Sequence, residues 1–160
     1  MEMKQLKNYE VLNLINGGLA HCTALTLEPA HAYKVGKFRR EATKAFDALV
    51  EAQKDIFKSY GIEDIEATNK EFAELAMNAN RTDEQNARHE ELAKAIEGIN
   101  KQLSELYNEE AKLEGIKTIP FSEWLALRKE NKSINGKTFD IFNNYTEDLL
   151  LGILWEEPTE

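Results

Sequence analysis

The chain has 160 residues and a mass of 18.3 kDa, with 20 Lys and Arg against 29 Asp and Glu, so its formal charge is −9 and its pI near 5.0. That balance excludes a nucleic-acid binder that works through a broad basic surface. Hydrophobic residues, at 42%, suffice for one core, and no stretch approaches the ~20 apolar residues of a membrane helix. The start Met1-Glu2-Met3-Lys4 lacks the apolar run of a secretory signal, and the lone Cys22 has no second cysteine to pair with, so a reducing cytoplasm is expected.

In the first 27 residues, Tyr9, Val11, Leu12, Leu14 and Ile15 form a short apolar pattern that stops at Gly17-Gly18. The pattern predicts a helix from about Asn8 to Asn16, with Asn8 as N-cap and the glycine pair as its stop; a strand at the extreme N-terminus is the alternative. From Pro29 to Tyr60 the only glycine is Gly36, and Gly61 follows. Proline in the first turn and glycine just past the end predict one long helix. Along it Val35, Phe38, Ala42, Ala45, Leu49, Ala52 and Ile56 recur at steps of three and four, the seam spacing of a coiled coil. Lys37, Arg39, Arg40, Glu41, Lys44, Asp47, Glu51 and Lys54 fill the remaining face.

Residues 61–81 read as a connection: a turn at Gly61-Ile62-Glu63-Asp64-Ile65, capping-box spacing at Thr68-Asn69-Lys70-Glu71 ahead of Phe72 and Leu75, and a loop at Asn78-Ala79-Asn80-Arg81. Any short element here is expected to pack against the end of the hairpin. A second capping box, Thr82-Asp83-Glu84-Gln85, opens a helix expected to reach Glu114, where Gly115 stops it. Its seam is Leu92, Ile96, Ile99, Leu103, Leu106 and Leu113. Two such seams fold most simply as an antiparallel pair, small Ala on one side facing Leu and Ile on the other.

After Gly115, Ile116-Lys117-Thr118-Ile119-Pro120 reads as a short strand or extended linker. Ser122 is placed to cap a helix carrying Trp124, Leu125 and Leu127, and Asn135-Gly136 marks a turn. The last apolar block, from Phe139 through Ile141, Phe142, Tyr145 and Leu149 to Trp155, must pack on something, and Glu156–Glu160 reads as a frayed tail.

No catalytic constellation emerges. His21, His31 and His89 are scattered, and the His21-Cys22 neighbours fall short of the four ligands of structural zinc. Cys22 as a nucleophile needs a positioned base, with His21 or His31 the candidates; a buried, inert thiol is the simpler reading. Gly17-Gly18 and Gly36 lack the Gly-Lys-Ser/Thr of a phosphate loop and read instead as a helix break and a close helix approach. The pairs Glu90-Glu91, Glu109-Glu110 and Glu156-Glu157 are ordinary for solvated helix faces. Lys34, Lys37, Arg39 and Arg40, with Lys44 beyond, form the one concentrated basic cluster, read as pairing with Glu41, Asp47 and acids of the second helix. Trp124, Phe142 and Trp155 are the candidate protein-interaction residues, since large aromatics concentrate at interfaces; burial in the chain's own C-terminal core is the competing assignment.

One resemblance adds to this. Leu27-Glu28-Pro29-Ala30-His31-Ala32-Tyr33-Lys34-Val35-Gly36-Lys37, followed by Glu51-Ala52-Gln53-Lys54 and Lys58-Ser59-Tyr60-Gly61, resembles a pattern in small helical proteins of tailed bacteriophages and prophages. Asn69-Lys70-Glu71-Phe72, Glu114-Gly115-Ile116 and Ile119-Pro120-Phe121 are similar to its later parts, so the likeness spans about residues 25–125 in outline. The chain departs from it in Glu28 before Pro29 and in a longer C-terminal apolar block. The resemblance carries no active site to transfer and implies a phage-encoded accessory protein of the neck, tail or assembly machinery.

The expected fold is mainly α: one domain over 1–160, with a short helix and loop in 1–28, a long coiled-coil-like antiparallel hairpin in 29–114, and a helical cap in 115–160 with at most one small strand pair. The expected function is a non-enzymatic protein–protein contact, with self-association or another protein as partner and no membrane, cofactor, metal or direct nucleic-acid binding. Its setting would be the bacterial host cytoplasm or the virion. The alternative is an acidic phage inhibitor of a host nucleic-acid-binding defence protein. Such an inhibitor needs carboxylates gathered on one face, whereas acids and bases read as interspersed along both long helices.

Overall fold

A computed structural model describes residues 5–18, 29–116, 118–123, 132–134, 137–139, 153 and 155–156. The protein is mainly helical: α1 (Asn8–Asn13), α2 (Pro29–Ser59), α3 (Ile65–Met77) and α4 (Asp83–Asn108) precede a two-stranded antiparallel ribbon of β1 (Lys132–Ile134) and β2 (Lys137–Phe139). The ribbon pairs Ile134 with Lys137 and Lys132 with Phe139, which is the small strand pair the sequence left room for. Asn135 and Gly136, its expected tip, lie outside the described residues.

The chain divides into two compact units, Met1–Asp47 with Glu109–Glu160, and Ala48–Asn108. The first boundary falls within α2, and the second at the end of α4, which is shorter than its seam suggests. That helix ends at Asn108 rather than Glu114, and the next residues pair with the start of the chain instead. Glu110 forms a bridge with Lys7, the Ala111 N–H donates to the Leu6 carbonyl at 2.7 Å, and the Asn8 N–H donates to the Glu109 carbonyl at 2.9 Å. Six more helical residues would forfeit those bonds, so Leu113 leaves the helical seam.

The same pairing corrects the N-terminus. Lys7, not Asn8, is the N-cap of α1, and its N–H is bonded by the Glu10 carboxylate at 2.8 Å. The α-helix stops at Asn13 and passes into a π-helical turn over Leu14–Gly18, which contains the glycine pair. In this first unit Leu6, Val11, Leu14, Val35, Phe38, Ala42, Ala111, Ile116, Ile119, Ile153 and Trp155 form one buried cluster. Three of the seam positions read from the sequence, Val35, Phe38 and Ala42, supply its helical side.

In the second unit, the part of α2 from Ala48 onward and α3 both lie antiparallel to α4. Gln53 meets Tyr107 and Tyr60 meets Gln102, while beyond Gly61 Glu71 meets Arg88 and Phe72 meets His89. From Gln53 and Tyr60 to the Glu71–Phe72 turn on one side, the partners step down from Tyr107 and Gln102 to the Arg88–His89 turn on the other, so α3 prolongs the α2 side of the hairpin instead of capping its end. The reversal is confined to 78–82, not spread over 61–81. Gly61, at φ +70°, makes the break between the two helices, and Asp64 caps α3 by accepting the Ala67 N–H at 3.0 Å. The capping box expected at Thr68 is therefore already inside the helix, where its hydroxyl donates to the Asp64 carbonyl. The box at Thr82 forms as read: the Thr82 N–H donates to Gln85 Oε1 and the Gln85 N–H to Thr82 Oγ1.

Candidate functional site

Of the three aromatic candidates, Trp155 is described and is 8% exposed. It stacks on Phe121 with ring centroids 5.9 Å apart, and its backbone forms a parallel bridge with Ile119. The Glu156 N–H, donating to the Ile119 carbonyl at 3.0 Å, and the Thr118 hydroxyl, donating to the Glu156 carboxylate at 2.8 Å, lace that edge together. Trp124 and Phe142 lie outside the described residues, as do His21, Cys22 and Glu157; residues 121–123 are helical, so Ser122, expected as the cap of this segment, lies inside it. Among the described residues no three His, Cys, Asp or Glu side chains gather in a metal-holding group, and no helix is long and apolar enough to cross a membrane. Glu90, Glu91, Glu109 and Glu110 are exposed.

The basic cluster is less paired than the sequence suggested. Lys44 bonds Glu41 at 2.8 Å and Lys34 bonds Glu123 at 3.0 Å, but Lys37, Arg39 and Arg40 make no ion pair among the described residues. Glu41 is held below the ordinary carboxylate value, first by its hydrogen bond from Lys44, and further by the Glu114 backbone and the Lys37 charge. Tyr33, Lys34, Lys37, Phe38 and Ile116 line a cleft of about 300 Å³. Its floor is apolar, for Phe38 is 0% exposed, and the Tyr33 ring at its rim is 67% exposed. The Lys37 side chain runs over Gly115, where an added Cβ would lie 3.2 Å from its Nζ. Gly115 has φ +63°, so the bend that carries Ile116 into the core also makes room for the lysine.

Among the described residues, the close helix approach expected at Gly36 is found at Gly98. A Cβ on Gly36 would meet, among the described residues, only Arg40 of its own helix at 3.7 Å. On Gly98 it would fall within 2.9 Å of two Tyr60 ring carbons, and that ring lies across the helix with its hydroxyl accepting from Gln102 Nε2 at 3.1 Å. A glycine in mid-helix is a readable signal, because it costs about 1 kcal/mol against alanine and is kept where something must come close.

The charge pattern of the second unit is uneven once its fold is known. Residues 61–91, which form the half of the hairpin around the 78–82 turn, hold nine Asp and Glu against three Lys and Arg, whereas the other half balances four against four. Of those three cations, Arg88 is held by Glu71 and Glu91, and Arg81 is tied to the Leu75 carbonyl and Asn86 Oδ1. Acids and bases still alternate along α4, and the acid excess lies in the half of the hairpin around the 78–82 turn. Beside it Met77 is 87% exposed.

Compared with known proteins, the chain matches no family model, and neither a curated protein nor a solved structure is similar to it. What fold and surface define is a class, a mainly helical chain bearing an antiparallel helical hairpin.

Proposed function

We propose that the protein is a non-enzymatic interaction protein that binds a protein partner through its helical hairpin, encoded by a tailed phage and acting in the virion neck or tail or in its assembly. The observation that supports this reading is the thinness of Ala48–Asn108: two helical layers with four buried apolar side chains, and the outer face of each helix turned to solvent. A layer of that kind presents surface rather than enclosing substrate. The phage setting comes from the sequence resemblance.

A photo-crosslinking residue placed at Ala87 or Asn100, both exposed on α4, tests it in infected cells. Discrete adducts with phage structural proteins are expected; adducts at neither position, together with particles and assembly intermediates free of the chain, would overturn it. A second reading, the acidic inhibitor of a host nucleic-acid-binding protein, gains support from the nine acids gathered in residues 61–91. It requires that the chain displace DNA from such a host protein, and that Glu63→Gln with Glu66→Gln weaken the displacement.

A further inference from the structure

We propose that the lysine-lined cleft of the first unit docks the Glu74–Met77 face of α3 from a second copy of this chain. This rests on the reading above, that the protein works through protein contacts, and names the surfaces and the occupant. In the cleft, Lys34 is already committed to Glu123, and Glu41 takes its hydrogen bond from Lys44. Lys37 makes no ion pair among the described residues, so the cleft offers one cation above the apolar floor of Phe38 and Ile116, beside the exposed Tyr33 ring.

The matching occupant is a carboxylate next to a flexible apolar side chain. The chain carries such a pair on α3: Glu74 and Met77 are three residues apart on one helical face, both exposed, with the exposed Ala73 beside them. No residue of α3 is fully buried. A methionine adapts to an irregular cleft, and its sulfur makes favourable contact with an aromatic ring such as Tyr33. Charge complementarity selects the second copy. Residues 29–47 carry five Lys and Arg against two Asp and Glu, residues 61–91 the reverse excess, and like-with-like symmetric pairing of either surface would be repulsive. A contact between unlike surfaces either closes reciprocally about a two-fold axis or runs head-to-tail into a ring or a filament.

Sedimentation of the full chain over a concentration series tests this at about 0.1 M and about 1 M salt, where the screening length falls from about 10 Å to about 3 Å. Association that grows with concentration at low salt and is lost at high salt is expected. Lys37→Glu and Glu74→Lys should each raise the concentration for half-association at least ~tenfold. An equimolar mixture of the two variants should associate again, because the intact cleft of one accepts the intact α3 face of the other. If either reversal disturbs the circular dichroism, Lys37→Gln and Met77→Ala replace them with the same expected direction. A wild-type chain that stays monomeric at low salt, variants that associate like wild type, or a mixture that remains monomeric would overturn self-docking. An outside acidic partner that binds the monomeric chain and loses binding with Lys37→Glu would do so as well. The crosslinks at Ala87 and Asn100 report on the broader function independently of these outcomes.

Discussion

In the unit of Met1–Asp47 and Glu109–Glu160, eleven apolar side chains from the N-terminal segment, α2 and the segments after α4 are buried together, whereas Ala48–Asn108 buries only Leu49, Ile62, Leu92 and Ile99 among the described residues. The first draws its core from stretches far apart in sequence, so each buried group is surrounded on many sides. The second has one seam between two layers, and Ala52, Ile56, Phe72, Ile96 and Leu103 along it remain half-exposed. Local stability follows from this difference, since a group buried on one side only contributes less transfer free energy and leaves its helix able to open by itself.

The largest expected contrast comes from matched truncations. Phe38→Ala should cost about 4 kcal/mol, because its side chain is fully enclosed, while Ile99→Ala should cost about 2 kcal/mol, since half-exposed neighbours can settle into the space. Urea unfolding gives both values. Native-state hydrogen exchange should show the Ile99→Ala loss confined to amides of residues 48–108, and an equal loss across both units would erase the distinction.

A double substitution examines how tightly the thin unit is packed. Gly98→Ala should destabilise by about 1–2 kcal/mol through the clash with Tyr60. In a Tyr60→Ala background the same change should become stabilising by up to about 1 kcal/mol, the helix-propensity gain alone. Should the sign stay the same in both backgrounds, the ring does not sit over Gly98. At the next level down, Thr82→Ala should cost about 1 kcal/mol by removing the α4 cap, visible as lower thermal stability with faster exchange at the start of α4.

The smallest effect is electrostatic. Hydrogen bonds from Arg88, Lys44 and Lys54 hold Glu71, Glu41 and Glu51 below the ordinary value of 4.5. Each therefore contributes stability that is present above that value and is lost as pH falls through its lowered folded value. Glu51 and Glu71 are largely open to solvent and Glu41 is paired with an exposed lysine, so the loss should be slight and weakened by salt. In a thermal-unfolding series between about pH 7 and about pH 3, Arg88→Gln should lie just below wild type at neutral pH and converge with it in acid. Divergence in acid would mean that the pair is not formed.

How far the sequence could be read depended on whether the deciding interaction was local. The α2 seam, its proline start and its stop at Gly61, and the Thr82–Gln85 capping box all rest on residues within a few positions of one another. They were legible for that reason. The end of α4 was not, because Leu113 keeps the seam spacing while the first residues of the chain compete for the backbone at Glu109–Ala111. The continuation of the hairpin through α3 was hidden for a related reason. Gly61 reads as an end whether the next helix turns away or runs on along α4. For the candidate surfaces, the basic cluster was visible as charges, but its cleft needed Ile116 brought beneath Lys37 from about eighty residues away in the chain.

By itself, then, the sequence determined the helical class, two long amphipathic helices, an acidic composition and the Thr82–Gln85 cap, since periodicity, propensity and capping act over one or two turns. Only the tertiary structure decided which segments share a core, where α4 gives way to pairing with the first residues of the chain, that Gly98 lies under the Tyr60 ring, and that nine acids gather around one end of the hairpin. Those outcomes depend on backbone groups and side chains distant in sequence finding one another, and a local pattern carries no record of its partner.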